Sequence, residues 1–262
     1  NGALDVVKMS RHEMGQFVRS KFDNPSSKLS VIGVTGTNGK TSVTHFVYQA
    51  LLLLKEKPFV LGTLNSALTT PESLDSVRLI SKHVNEGGTH FIMEVSSHAI
   101  KQGRIEGIDF AVRCLTNITQ DHLDYHSSFD EYKQIKKSFL KSKTGISVER
   151  KQFLDLPIPE NRHLRGQFNH ENLQASKAIL LALNYNETDI DNVLRNVKAP
   201  PGRFEFIQGK HPFDIVIDYA HTPDSLNSVL TTARECLSQS NGRVLCLFGC
   251  GGDRDRDKRK LM

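Results

Sequence analysis

The chain has 262 residues, of which 38% are apolar and 24% charged, and its formal net charge is +5. That suffices for one large or two ordinary domains with a real core, and the charge suits an anionic small substrate as well as nucleic acid. No run approaches the roughly 18 apolar residues of a membrane span, and the absence of Trp and of a compact basic-aromatic block argues against RNA or DNA.

The start, "NGALDVVKMSRHEMG", lacks the apolar core of a secretory signal and an initiator Met, so the sequence reads as beginning inside a longer protein. "LSVIGVTG" is a β-branched run ending in Gly, a buried strand by pattern. "KTSVTHFVYQALLLL" has helical spacing, with Val43, Phe46, Val47, Ala50, Leu51 and Leu54 on one side. "THFIMEVSS" and "FAVRCLTNI" read as two more strands. "SFDEYKQIKKSFLKS" reads as a helix with Ser128 as N-cap and Glu131 in the capping-box position. The alternation of strands and helices predicts a parallel α/β sheet.

After Lys141 the periodicity fades, until "NHENLQASKAILLALNY" gives a clean helix. "APPGRFEF" is a linker signal. Beyond it a second α/β unit is expected from about Pro201: a strand in "FDIVIDYAHTP", a helix in "SLNSVLTTARECL" and a strand in "RVLCLFGCGG". One such unit is too little to close a domain, so this part is expected to be incomplete. Cys114, Cys236, Cys246 and Cys250 show no zinc spacing and predict reduced, mostly buried thiols of a cytosolic protein.

The stretch "VIGVTGTNGKTS" combines a strand, a tight turn and a helix start. Such a turn gathers free N–H groups and the positive end of a helix dipole, Gly lets the backbone approach an anion, Lys reaches terminal phosphates and Thr can ligate Mg²⁺. The strict G-x-x-x-x-G-K-[ST] spacing fails, because Val34 stands at the first position and the nearest glycines are Gly33 and Gly36.

"GTNGKTS" is the form of this loop found in Mur ligases, ATP-dependent enzymes that add amino acids to the peptidoglycan precursor. "TTPES" (69–73), "EVSSHA" (94–99), "TNITQDHLDYH" (116–126), the Tyr132…Lys136 helix, "GQFNHEN" (166–172), "PGRFE" (201–205), "DYAHTPDSL" (218–226) and "FGCGGDRDRDKRKLM" (248–262) follow in family order. The set resembles the branch that makes the UDP-muramoyl-tripeptide. The similarity implies a P-loop-type parallel-sheet ATPase domain over 24–200. A truncated Rossmann-like α/β domain would span 201–262, and residues 1–23 would be the tail of an N-terminal uridine-binding domain. Lys141–Arg165 is shorter than the family's equivalent, Lys260 stands where the family usually has Pro, and the motif that contacts the incoming amino acid is not reached.

The resemblance implies ATP and Mg²⁺, and it assigns roles by motif. Gly36, Thr37, Asn38, Gly39, Lys40, Thr41 and Ser42 would hold the phosphates. Lys40, Glu94, His122 and Lys136 form the implied catalytic set. Thr41, Glu94, His122 and a carbamylated Lys136 would bind Mg²⁺. Read bare, Lys136 belongs to a solvated basic helix face and His122 to a loop hydrogen bond; the motif reverses both expectations. Asn169 and Asn172 map to adenine, Arg203 to the ATP phosphates, and Asp218 and His221 to the ribose and phosphate side once the halves close at "APPGR". Thr69, Thr70, Ser96, Gln102 and Arg104 map to UDP-muramoyl-dipeptide, and Arg259 to the carboxylate of the diamino acid. The expected protein is a monomer of the bacterial cytoplasm that binds neither membrane nor nucleic acid. It would add meso-diaminopimelate, or else L-lysine. A folylpolyglutamate synthetase and a non-catalytic ATP-binding module are the alternatives.

Overall fold

The computed structural model describes residues 8–141, 144–207, 209–210, 212–237, 242–249 and 258–262. Its centre is a five-stranded parallel sheet built from β1 (Ser30–Thr35), β2 (Pro58–Leu61), β3 (His90–Glu94), β4 (Val112–Leu115) and β5 (Ile146–Glu149). The spatial order is β2-β3-β1-β4-β5. The chain leaves β1 for one side of the sheet and crosses back to the other after β3. The ends of β1, β3 and β4 therefore frame the crevice where open α/β sheets take their ligands.

Alternation along β1 explains the layers. Val31 faces one side with Val77, Ile80, Phe91, Phe110 and Phe139; Ile32 and Val34 face the other with Phe46, Val47, Leu51, Ile179 and Leu180. Successive side chains on a strand point to opposite faces, so a strand covered on both sides must be apolar throughout. One covering layer comprises α1 (Arg11–Lys21), α3 (Ser73–Asn85) and α5 (Phe129–Leu140). The other comprises α2 (Lys40–Leu53), α7 (Gln167–Ala182) and α8 (Glu187–Leu194). Each large apolar side chain buried here contributes about 1.5–3 kcal/mol relative to exposure. Gly33 sits under the rings of Phe110 and Phe139, where a Cβ would stand 2.6 Å from each, so β1 admits no side chain there.

The three apolar strands and the helices at 40–54, 128–140 and 167–182 lie where the pattern predicts them. Several elements escaped it. β2 and β5 are short edge strands, and β5 with α6 (Arg150–Phe153) occupies the stretch that showed little periodicity. The capping box at Ser128 is only half formed. Ser128 Oγ accepts from Glu131 N at 3.1 Å, but the Glu131 carboxylate takes both Ser127 N and Ser127 Oγ at 2.7 Å, and Lys101 besides.

Beyond Pro201 the strand expectations need correction. The first strand shrinks to β7 (Val216–Ile217), paired antiparallel with β6 (Glu205–Phe206). The helix forms as α9 (Pro223–Cys236), with a Thr222 capping box. The strand expected in 243–249 is absent: residues 242–249 carry no regular structure, and Leu245 and Leu247 are exposed. No described strand pairs with this segment, and β-propensity without a pairing partner does not make a strand. The thiols are also less buried than expected: Cys114 is buried, whereas Cys236 and Cys246 are exposed. Cys250 and the "GGDRDRD" run lie outside the described residues.

Candidate active site

The loop after β1 turns on glycines. Gly36 (φ +151°) and Gly39 (φ +86°) hold backbone angles that side chains disfavour, and a Cβ on Gly39 would run into the Asn172 side chain. Gly39 is the N-cap of α2 without any side-chain cap, so the first N–H groups of that helix face the cleft. The segment after β4 braces the loop. Asn117 Oδ1 accepts from Asn38 N at 2.9 Å, Thr116 Oγ1 donates to Asn38 O at 2.6 Å, and Thr37 Oγ1 meets Tyr132 OH at 2.9 Å.

Two lysines share this loop. Lys40 Nζ donates to Gly36 O and Thr37 O, each at 2.9 Å, and Lys136 Nζ donates to the same Gly36 O at 2.8 Å. Lys136 is 1% exposed, so the solvated-face reading of that helix is overturned; Lys133 and Lys137 are the exposed ones. Tyr132 and Lys136, one helical turn apart, both point inward from α5. Burial pulls both ammonium groups below the usual lysine range, and for Lys136 the charge of Lys40 adds to it.

Glu94, at the end of β3, is buried and fully engaged. Its carboxylate accepts from Thr41 Oγ1 at 3.1 Å, Thr63 N at 2.9 Å and Thr63 Oγ1 at 3.2 Å. Thr41 Oγ1 in turn accepts from Arg203 at 2.9 Å, which ties the start of the C-terminal segment to the loop. His122 sits at φ +55°, with Asp121 Oδ1 accepting from its N at 2.9 Å and Asp121 Oδ2 lying 3.4 Å from its Nε2. His221 Nε2 approaches Asp121 Oδ2 at 3.8 Å, and Asn38 Nδ2 donates to Asp224 at 2.9 Å. Asp218 serves as a loop bracket, accepting from Phe204 N at 2.7 Å and Ala220 N at 2.6 Å, and burial raises its pKa.

Farther along the cleft, Thr70 Oγ1 donates to Glu94 O at 2.9 Å and accepts from Ser96 N at 3.0 Å. Ser96 Oγ caps α4 (Ser97–Lys101) by accepting from Ala99 N at 3.1 Å. Thr69 Oγ1 meets Thr63 Oγ1 at 3.1 Å. Arg104 donates to Thr70 O at 3.2 Å and pairs with Glu72 at 3.3 Å.

These residues line one cleft of about 920 Å³, which contains Thr37 to Ser42, Thr69, Thr70, Glu94, Ser96, Arg104, His122, Lys136, Asn172, Arg203, Asp218 and His221. Four expected residues are not on its wall. Gly36 touches it only indirectly, its carbonyl accepting from Lys40 and Lys136. Asn169 donates to Arg165 O at 2.9 Å, Gln102 donates to Tyr125 OH at 3.0 Å, and Arg259 sits on α10 (Lys258–Leu261) beside α9. Sequence reasoning missed Asp121, Thr63, Thr116, Asn117 and Asp224. Asp121, only 3% exposed, was visible in "QDHLDYH" as a carboxylate next to a candidate His.

The donor set bears on a divalent cation. Glu94 and Thr41 offer adjacent hard oxygens at the loop, which fits Mg²⁺. Among the described residues no three His, Cys, Asp or Glu side chains gather as a metal cage. A second ion beside His122 would fit only if Lys136 carried an anionic group.

Burial lowers the His122 pKa from 6.5 to about 4, and it also lowers those of His45 and His90. The unfolded chain takes up protons on these rings near pH 6.5 while folded His122 stays neutral until about 4. Their contribution to stability is therefore complete above that range and lost as pH falls through it. Urea midpoints are expected to decline from pH 7 to pH 4.5, with a shallower decline in His122→Gln; equal slopes would refute the assignment.

A family profile described as the Mur ligase middle domain matches residues 34–150, and one described as the Mur ligase glutamate ligase domain matches residues 202–262. Similar curated proteins include the UDP-N-acetylmuramoyl-L-alanyl-D-glutamate–2,6-diaminopimelate ligases of Nitrosomonas europaea and Geobacillus thermodenitrificans. Each is 34% identical, over 96% and 100% of this chain respectively, and the chain spans 63% and 65% of their length. A solved structure of a ligase with that name is 27% identical with a TM-score of 0.67, covering 96% of this chain and 63% of that one. Folylpolyglutamate synthase of Mycobacterium tuberculosis shares the fold at 14% identity and a TM-score of 0.69, over 86% of this chain and 70% of that one. With both profiles and these relatives agreeing along its length, the chain belongs to the Mur ligase family.

Proposed function

We propose that this chain carries the ATP site and the dipeptide site of an amide-forming ligase. The ligase adds a diamino acid, meso-diaminopimelate before L-lysine, to UDP-N-acetylmuramoyl-L-alanyl-D-glutamate in peptidoglycan precursor synthesis in the bacterial cytoplasm. The protein acts as a monomer, with an ATP-binding domain over 24–200 and the start of an amino-acid-binding domain over 201–262. The observation that carries the reading is the convergence of Lys40, Glu94, Asp121, His122, Lys136 and Arg203 on one cleft at the ends of β1, β3 and β4. The names of the relatives, which specify 2,6-diaminopimelate, support the choice of amino acid.

In this reading a carboxylate oxygen of the dipeptide bonds to the γ-phosphorus of ATP as the bond to the β-phosphate oxygen breaks, and ADP leaves. The amine of the diamino acid then bonds to the acyl carbon, the carbon–oxygen bond to phosphate breaks, and the amine loses a proton to solvent. Two anions must meet in the first step, so fixed cations dominate catalysis. The N–H groups from Gly36 to Ser42 cradle the phosphates, with Lys40 and Arg203 neutralising charge there. Asn172 and Asn169 serve the adenine side, and Asp218 and His221 the ribose side. Thr69, Thr70, Ser96, Gln102 and Arg104 hold the dipeptide, and Arg259 meets the diamino acid carboxylate. Thr41 and Glu94 would hold one Mg²⁺ and His122 with a carbamylated Lys136 another, and the bound ions would supply charge neutralisation between phosphate and carboxylate.

Lys136 is suited to carbamylation. Its amine is driven toward the neutral form by burial and by Lys40, and the neutral amine is the form that adds CO₂. The product is an anion that would complete a cation site and relieve the clash with Lys40. Under ¹³CO₂ the protein is expected to show one carbamate resonance that Lys136→Arg lacks; an unchanged spectrum in that variant would assign the signal elsewhere.

The reading is tested by phosphate release from Mg²⁺-ATP by the full-length protein with the UDP-muramoyl-dipeptide. Diaminopimelate or L-lysine is added separately, and the product is weighed by mass spectrometry. A tripeptide with one amino acid is expected. ATP binding without product would leave a binding module, and activity on a folate acceptor would favour the folylpolyglutamate alternative.

A further inference from the structure

Beside the lysines and carboxylates, a column of rings runs into the cleft to His122, and to two of its members, His98 and Tyr125, the reaction above gives no part. His98, on α4, lies on Tyr125 with ring centroids 4.1 Å apart and planes at 30°. The same ring meets His122 edge to face, at 4.9 Å and 89°. Tyr125 is held from behind: its hydroxyl accepts from Gln102 Nε2 at 3.0 Å, and Lys101 Nζ sits 5.0 Å above its ring. Gln102, Tyr125, His98 and His122 thus run in contact from the end of α4 into the cleft, whose wall includes His98 and His122.

The His122 ring needs such support. Its backbone sits at φ +55°, which sets where the side chain leaves the chain but not how the ring turns. Asp121 Oδ2, 3.4 Å from Nε2, restrains one edge. The Tyr132 ring is 6.4 Å away, too far to clamp it. The ring in van der Waals reach on another side is His98. A flat ring stacked on a second, anchored ring is a stiffer wall than an aliphatic side chain with free rotamers, and groups that orient a ligating His are felt in the affinity of the ion it holds.

We propose that His98 is a positioning residue: backed by Tyr125 and Gln102, it fixes the orientation of the His122 ring in the cleft. The inference rests on the ligase reading for its functional consequence, because there His122 is a Mg²⁺ ligand, but its structural content stands apart. It also gives Gln102 a second part, as the anchor of Tyr125.

The test compares the full-length protein with His98→Ala, His98→Phe and Tyr125→Leu. Histidine-ring NMR without metal is the first readout, with His122 assigned through His122→Gln. One set of His122 ring signals is expected in the parent and in His98→Phe, and exchange broadening or doubling in His98→Ala and Tyr125→Leu. The second readout is phosphate release against Mg²⁺. The half-maximal Mg²⁺ concentration is expected to rise about ten-fold in His98→Ala and Tyr125→Leu, with KM for the dipeptide unchanged in His98→Ala and His98→Phe near the parent. A single, unshifted set of His122 signals in His98→Ala overturns the proposal, as does a His98→Phe that behaves like the alanine variant. If His98→Ala fails to fold, Tyr125→Leu carries the same decision. A parent protein that releases no phosphate would sink the ligase reading, while the NMR comparison would still decide the positioning.

Discussion

Replacing Lys40 with Met is expected to lower phosphate release by about a thousand-fold while leaving the fold intact. Removing one preorganised donor to developing charge costs roughly 10²–10³ in rate, and Lys40 combines a donor with a full charge. Stability should hold for a separate reason. The Lys40 ammonium is buried, its pKa is depressed, and it shares the Gly36 carbonyl with Lys136, so two like charges crowd one acceptor. Methionine keeps the stem, removes the desolvated charge, and leaves Lys136 on that carbonyl. Removing the charge also relieves Lys136 of a neighbour that depresses its pKa, so carbamylation at a given pH should fall. Single-turnover phosphate release at saturating ATP and dipeptide, together with a thermal melt, checks both parts. A loss of less than ten-fold would remove Lys40 from the chemistry.

Glu94 separates charge from structure, because two substitutions should fail in different ways. Glu94→Gln retains an oxygen for Thr41 Oγ1 and Thr63 N, and its amide can donate to Thr63 Oγ1. It should melt close to the parent and yet lose on the order of 10²–10³ in phosphate release, with weaker Mg²⁺ binding. It also takes away a carboxylate that raises the Lys40 pKa, so that ammonium should weaken further. Glu94→Ala leaves the half-buried Thr63 N–H without its acceptor and opens a void in place of the buried carboxylate, and together these cost about 1–3 kcal/mol. It should therefore be both inactive and less stable. Calorimetric Mg²⁺ titration and urea denaturation of the two variants test this. A Gln variant as destabilised as the Ala variant would mean that Glu94 holds structure through its charge.

Local pattern sufficed where a short stretch of chain contains the whole cause. The β-branched apolar run of "LSVIGVTG", the helical spacing of "KTSVTHFVYQALLLL" and the glycines of "GTNGK" each determine their own backbone, and they predicted the buried β1, α2 and the turn between them. The motif resemblance then named a group of residues that the fold brings onto one cleft wall, from Thr37–Ser42 to Glu94, His122, Lys136 and Arg203. Lys136 marks the limit: by composition "EYKQIKK" is a wet helix face, and only the packing of α5 on β1 and the phosphate loop shows which of its lysines is desolvated. Asp121, Thr63 and Asp224 went unnoticed because carboxylates and hydroxyls are common, and their meaning comes from distances to residues 31 to 186 positions away. The segment 242–249 erred the other way, a strand by propensity with no pairing partner among the described residues. Dihedral preference and apolar period are properties of a few consecutive residues. Burial, charge coupling and strand pairing belong to pairs far apart in the chain, and only the folded arrangement brings those pairs together.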